Sequence, residues 1–231
     1  MSDFALNKKG VFSSDKIREI IPFISLILVI IFFQIVTGGI LLSFRNLKLI
    51  LNQSFVLMVG SVASSFIVAQ GDVDFSMGSM VGITAVCAAW VSQVCAPLAL
   101  PAGMLIGLFF GIINGVLYVK CRIPSFLVTL SMLMVLRGLT VFISAGGSVS
   151  VPFSLYDWDN TGLKLFIVIA VILSAIFAFN YTKIGKWCKA IGSGVTAAYQ
   201  SGVPVNKMRI FGYALSAAMC GLCGFFNMVR A

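Results

Sequence analysis

The chain has 231 residues, of which 60% are hydrophobic and only 10% charged, and its mean hydropathy is +1.07. A soluble domain carries roughly 25% charged residues, so a soluble globular fold is excluded and lipid is the solvent. The formal net charge of +9 belongs in the cytoplasmic loops of a membrane protein; no basic patch interleaved with aromatics points to nucleic acid, which is set aside as a partner.

Backbone groups in lipid must be satisfied internally, which leaves helices or closed barrels. A barrel needs alternating apolar and polar residues, whereas stretches such as "IPFISLILVIIFFQIVTGGILL" are continuously apolar. The expected fold class is all-α, a polytopic helical membrane protein with about seven transmembrane helices. The opening "MSDFALNKKGVFSSDKIREI" is polar, and the apolar run after it is too long for the core of a signal peptide. Residues 1–19 therefore read as a cytoplasmic N-terminal arm and residues 20–231 as the transmembrane domain. The predicted spans are Ile20–Leu42, Leu49–Ala69, Ser76–Ala96, Leu98–Val119, Pro124–Ser144, Lys164–Asn180 and Met208–Val229.

Lys and Arg in the loops set the orientation. With the N-terminus cytoplasmic, eleven basic residues fall inside, among them Lys120, Arg122, Lys183, Lys186, Lys189, Lys207 and Arg209, and three outside, Arg45, Lys48 and Lys164. Residues 145–163, with Asp157 and Asp159, then face outward. In the fourth span Gly103, Gly107, Gly111 and Gly115 recur every fourth residue, so two helix backbones can approach closely there. The third span, with Gly78, Ser79, Gly82 and Ala85, is the expected neighbour.

Histidine is absent, which excludes Ser-His and Cys-His catalysis. Of seven acidic residues only Asp72 and Asp74 lie near membrane depth, too few for a carboxylate-driven ion transporter. Cys220 and Cys223 have CxxC spacing, but no second pair and no His follow, so packing is the expected role. No metal, cofactor or catalytic residue is expected.

The stretch "KAIGSGVTAAYQSGVPVNKMR" (Lys189–Arg209) is small, polar and basic between apolar runs. Its "GSGVTA" fits a dinucleotide-binding turn, but no strand precedes it and no acidic residue follows Asp159, so that reading fails. "GVTAAYQSG" predicts a short helix with glycine breakers at both ends. On spacing alone a docking helix and an ordinary solvated loop remain equally open.

Three blocks, in order, resemble the permeases of ABC importers of the ribose and simple-sugar branch. They are "GDVDFSMGSMVGITA" (Gly71–Ala85), "NGVLYVKCRIPSFLVTLSMLMVLRGLTVFISAGG" (Asn114–Gly147) and "TKIGKWCKAIGSGVTAAYQSGVPVNKMRIFGYALSAAMCGLCGF" (Thr182–Phe225). The chain departs from the family pattern at Thr196, where an acidic residue is usual, at Lys186 in place of Arg, and at Ser125 in place of the second Pro. Relatives continue for several more spans, so the chain reads as truncated at its C-terminus.

The resemblance implies a bacterial plasma (inner) membrane subunit that is not itself an enzyme. It implies a separate ABC ATP-binding subunit, a second permease subunit in a homo- or heterodimer, and an extracytoplasmic solute-binding protein. Residues of about 181–209 become a cytoplasmic coupling loop, with Ala190, Gly192, Thr196, Ala197, Ala198, Ser201 and Gly202 as the expected contacts to the ATPase. The alternatives are a nucleoside or branched-chain amino acid ABC permease, or an ATP-independent secondary transporter or channel.

Within the spans, Arg137 carries an insertion cost of ~2.5–3.5 kcal/mol if central. It either snorkels outward or acts as a pathway or helix-locking residue with a partner such as Ser144. Asn114 and Thr129 are candidate pathway residues, with bonding between helices the first expectation. Asp74 is expected to cap the third span, since a carboxylate favours a helix N-terminus.

Overall fold

The structure, a computed structural model, describes residues 14–230, so residues 1–13 of the expected cytoplasmic arm lie outside the described residues. The helices are α1 (Ser14–Val36), α2 (Phe44–Val68), α3 (Met77–Val94), α4 (Ala99–Cys121), α5 (Ser125–Ile143), α6 (Thr161–Tyr181), α7 (Lys183–Ser193), α8 (Val195–Gln200) and α9 (Val205–Arg230), with 3-10 turns at Ala96–Leu98 and Phe153–Trp158. Among the described residues there is no strand. Six of the described helices are long and apolar enough to cross a membrane, and α1 contributes a shorter apolar stretch, Ile20–Val36. The chain is an all-α polytopic membrane protein.

Two compact units divide at Asn52 and Gln53. In the first, α1 stops at Val36, short of the expected Leu42. Gly38 and Gly39 take positive φ values of 61° and 92°, and the turn is clasped by side chains. Gln34 Nε2 donates to the Gly39 carbonyl and its Oε1 accepts from the Leu42 amide, while Asn46 Nδ2 donates to the Leu41 carbonyl. Apolar residues 40–42 are therefore spent on a turn, a place that hydropathy alone assigns to a helix.

In the second unit α9 is the central helix, buried along most of its length. Its closest neighbour is α4. The glycine face of α4 meets α9 along Gly103, Gly107, Gly111 and Gly115, and the expected neighbour α3 joins it at Gly103. A methyl on Gly107 would overlap the Ala217 carbonyl, and one on Gly115 would come within 2.7 Å of Ile210 Cα. The fit is reciprocal, because a methyl on Gly221 of α9 would overlap the Gly103 carbonyl. Small residues on both sides, Gly221, Ala217 and Ala214 among them, allow the approach. Helix α3 touches α4 near Gly103, through Thr84 and Ala88, and packs also on α5 and α9.

Apolar residues fill the remaining interfaces. One cluster gathers Phe55, Val59, Leu222, Phe225 and Phe226; a second Phe66, Cys188, Ile191, Ala198 and Met208; a third Met80, Ile83, Met132 and Leu136. The outward faces of α4, α5 and α6 stay apolar, with Phe109, Phe126, Met134, Phe166 and Phe177 exposed. Lipid is the solvent that such surfaces require.

Candidate functional site

Two segments far apart in sequence meet at one end of the second unit. The first is the corner formed by α7 and α8. Thr182 ends α6 by donating its hydroxyl to the Ala178 carbonyl at 2.5 Å, and the turn into α7 brings Gly185 so close to the Phe179 carbonyl that a side chain there would overlap it. Along α7, Gly185, Cys188 and Ile191 are buried, while Lys183, Lys186 and Lys189 are exposed. Lys189 Nζ lies 5.5 Å from the Phe179 ring centroid. Gly194 separates α7 from α8, and Gly202 (φ +76°) closes α8 with the Val203 amide donating to the Ala198 carbonyl.

The expected contact residues separate into two groups. Thr196, Ala197, Ser201 and Gly202 are exposed or half-exposed, as is Tyr199; Ala190 is half-buried against the second cluster. Ala198 is the correction: at 3% exposure it packs among Phe66, Cys188, Ile191 and Met208, so it fastens α8 to the bundle and offers no outer surface. Gly192 is solvent-accessible on one side, yet a methyl there would overlap the Ala69 carbonyl. The corner thus sits directly on the turn that follows α2.

That turn, residues 69–76, is the second segment. Gly71 (φ +81°) ends α2 in the left-handed conformation that favours glycine. Asp72 is 7% exposed. Its Oδ1 accepts from the Tyr118 hydroxyl at 2.6 Å and its Oδ2 lies 3.5 Å from Arg209 Nε. The Arg209 guanidinium in turn stands 4.7 Å from the centroid of the Tyr118 ring. Burial pushes the Asp72 carboxyl above its ordinary range, while the Tyr118 hydrogen bond and the Arg209 charge pull it back. Asp74 is likewise pushed up by burial and pulled back by its bonds to Ser76.

A second chain of bonds runs alongside. Asn114 Nδ2 donates to Ser76 Oγ at 3.0 Å, and Ser76 Oγ donates to Asp74 Oδ1 at 2.6 Å. The Tyr213 hydroxyl donates to the Val73 carbonyl at 3.4 Å, and Gln70 lies where a side chain at Gly212 would fall. The turn is therefore fastened to α4 by Asn114 and Tyr118 and to α9 by Arg209, Gly212 and Tyr213.

The other candidates stand as follows. Asp74 accepts from the Ser76 amide at 2.7 Å, the residue before the first turn of α3, so it braces the helix start from outside; the N-cap position itself is Ser76, with no side-chain cap bond. Asn114, 1% exposed, bonds between segments. Thr129 does not: its hydroxyl donates to the Ser125 and Phe126 carbonyls of its own helix, as a threonine in an apolar helix does. Arg137 is exposed and has no ion pair among the described residues, and Ser144 donates to the Val141 carbonyl rather than pairing with it. No group of three or more His, Cys, Asp or Glu residues among those described could hold a metal ion.

Sequence reasoning missed α7 and the partners of Asp72. Ile184, Cys188 and Ile191 have the spacing of one helical face. Pro204 followed by Val205 and Met208 marks a helix start that puts Arg209 inside α9 instead of in a loop.

A family model described as the branched-chain amino acid transport system / permease component matches residues 46–231. The chain belongs to this permease family. Among its relatives, the ribose import permease protein RbsC of Escherichia coli K12 is 30% identical over 198 residues, covering 80% of this chain and 62% of the relative. RbsC of Haemophilus influenzae is 31% identical over 220 residues, covering 90% and 68%. The L-arabinose ABC transporter permease protein AraH of Azospirillum brasilense is 32% identical over 179 residues, covering 73% and 53%. The chain thus spans about three fifths of the E. coli relative's length. No solved structure matches it. The match reaches across α3 to α9, so both the turn after α2 and the α7–α8 corner lie inside the permease family region.

Proposed function

We propose that this chain is the membrane-spanning permease subunit of a binding-protein-dependent ABC importer for a sugar or sugar-like solute. A separate ATP-binding subunit hydrolyses the nucleotide, a second permease subunit completes the pathway, and an extracytoplasmic binding protein delivers the solute. The N-terminus is cytoplasmic, in agreement with the distribution of Lys and Arg. The solute class is suggested by relatives whose names are ribose, L-arabinose and fructose permeases.

One observation carries the coupling role. Helix α8 stands between two glycine turns, with Thr196, Ala197, Tyr199 and Ser201 outward and Ala198 inward. A partner pressing on that outer face moves α7 and α8 together, because Ile191 and Ala198 share one packed cluster. Gly192 bears on Ala69, and the turn is tied to α4 and α9. Close packing leaves no slack, so the displacement reaches the spans as a rigid-body movement. The solute pathway then opens without a titrating group in the membrane.

The test is ATP-driven uptake by the assembled importer in vesicles, with ribose, arabinose and fructose as substrates. Uptake that follows ATP and collapses in Ala197→Trp supports the reading; uptake driven by an ion gradient with no nucleotide sinks it. Arg137 is proposed as a pathway residue on its exposure alone, and Arg137→Ala with normal expression and undiminished uptake removes it from that role.

A further inference from the structure

A cavity of about 690 Å³ opens where α4 ends and α9 begins, lined by Tyr118, Lys120, Arg122, Ile123, Asn206 and Arg209 among others. Three of these six side chains are cationic. Arg209 is shared with Asp72, but Lys120 and Arg122 have no ion pair among the described residues. Arg122 occupies the residue after α4 in a left-handed conformation (φ 55°), the position at which glycine ends a helix without strain. The chain turns at once into Ile123 and Pro124, which line the same cavity.

The rim is apolar. Ile123 lines the cavity and is 40% exposed, and Leu117 and Phe126 on the adjoining turns are 39% and 47% exposed. A soluble anion would gain nothing from that surface, whereas a lipid places its charge in the cavity and its chains along the helices. We propose that this cavity binds the phosphate headgroup of an anionic membrane lipid, with Lys120 and Arg122 as its ligands and Asn206 as a hydrogen-bond donor. Basic pockets between membrane helices take such headgroups, each cation adding a comparable increment. Lys120, Arg122 and Asn206 take no part in the proposed coupling route, so the site stands whether or not the chain transports sugar.

The test is native mass spectrometry of the full chain in detergent, titrated with phosphatidylglycerol or with phosphatidylcholine. The expected result is one saturable phosphatidylglycerol, bound about tenfold more tightly than phosphatidylcholine and not displaced by excess inorganic phosphate. K120Q/R122Q should abolish the preference and K120R/R122K should retain it. K183Q/K186Q, which removes exposed charge from α7 outside the cavity, should also retain it. Equal binding of the two lipids overturns the proposal, as does displacement by inorganic phosphate alone, which would identify a soluble anion as the ligand. Equal loss in K183Q/K186Q overturns it too, by reducing the effect to general surface charge. If K120Q/R122Q does not fold, the wild-type lipid and phosphate arms and the α7 control still decide.

Discussion

Gly192 at the α7–α8 corner and Ala69 at the end of α2 approach so closely that a methyl on Gly192 would overlap the Ala69 carbonyl. The contact is between backbones, so neither side can yield by rotating a side chain. Gly192→Ala should lower stability by about 1–3 kcal/mol, the usual cost of overpacking. Gly194, two residues on, has extended backbone and only the Ala197 methyl at 3.9 Å in front of it. Gly194→Ala should therefore unfold at nearly the wild-type temperature. Thermal unfolding of the two purified variants in detergent makes the comparison; equal losses would show that the corner does not bear on the turn.

The same reasoning separates glycines inside the membrane. Gly107 faces the Ala217 carbonyl of α9, while a methyl added to Gly60 of α2 would meet nothing within 4 Å. Gly107→Ala should drive α4 and α9 apart, at about 1–3 kcal/mol. Gly60→Ala should be neutral or stabilise by ~0.4–1 kcal/mol through the unfolded chain. Denaturant unfolding followed by tryptophan fluorescence reads both.

How much of this was legible beforehand depends on the kind of information involved. The long apolar helices follow from continuous hydropathy, and the tight face of α4 from glycines four apart, because both are local patterns. Which helix that face meets is not local. Small residues on α3 and on α9 are equally suited to it, and the choice is made by the packing of the whole bundle. Asp72 shows the limit more clearly. Its sequence position placed it at an interface, yet its partners Tyr118 and Arg209 come from two other helices, and no periodicity connects them.

Asp72 also makes stability depend on pH. Its carboxyl is raised in the folded chain, by burial first, and Asp74 is raised in the same direction. The folded state then binds protons more readily than the unfolded one. The contribution of these groups is greatest below the ordinary carboxyl value of 3.8 and is lost as pH rises through the raised folded values. D72N/D74N should flatten that slope, measured as the unfolding midpoint from acidic to neutral pH. A slope of the opposite sign, with the protein gaining stability over this window and the variant losing that gain, would mean that Tyr118, Arg209 and Ser76 outweigh the burial.

Tyr118→Phe removes the bond to Asp72 Oδ1 while leaving the ring under the Arg209 guanidinium. A hydrogen bond to a charged group contributes about 1.5–3 kcal/mol, so a loss of that order is expected near neutral pH. It should shrink in the Asp72→Asn background, because the two residues share one interaction. A double-mutant cycle on thermal unfolding measures the coupling, and strictly additive losses would remove Tyr118 from the pair.

Ala197 and Ala198 are neighbours with opposite surroundings, and they give the sharpest test of what α8 is for. Ala198 is packed at 3% exposure and Ala197 is exposed. Ala198→Trp must push α8 off the second cluster, so the expected outcome is loss of folded protein rather than a clean transport defect. Ala197→Trp changes no contact inside the bundle and should unfold at the wild-type temperature. If α8 is the face on which the ATP-binding subunit presses, Ala197→Trp should nevertheless abolish nucleotide-driven uptake and co-purification of that subunit. A stable Ala197→Trp protein that still assembles and transports would leave α8 as a structural corner and move the coupling contact elsewhere.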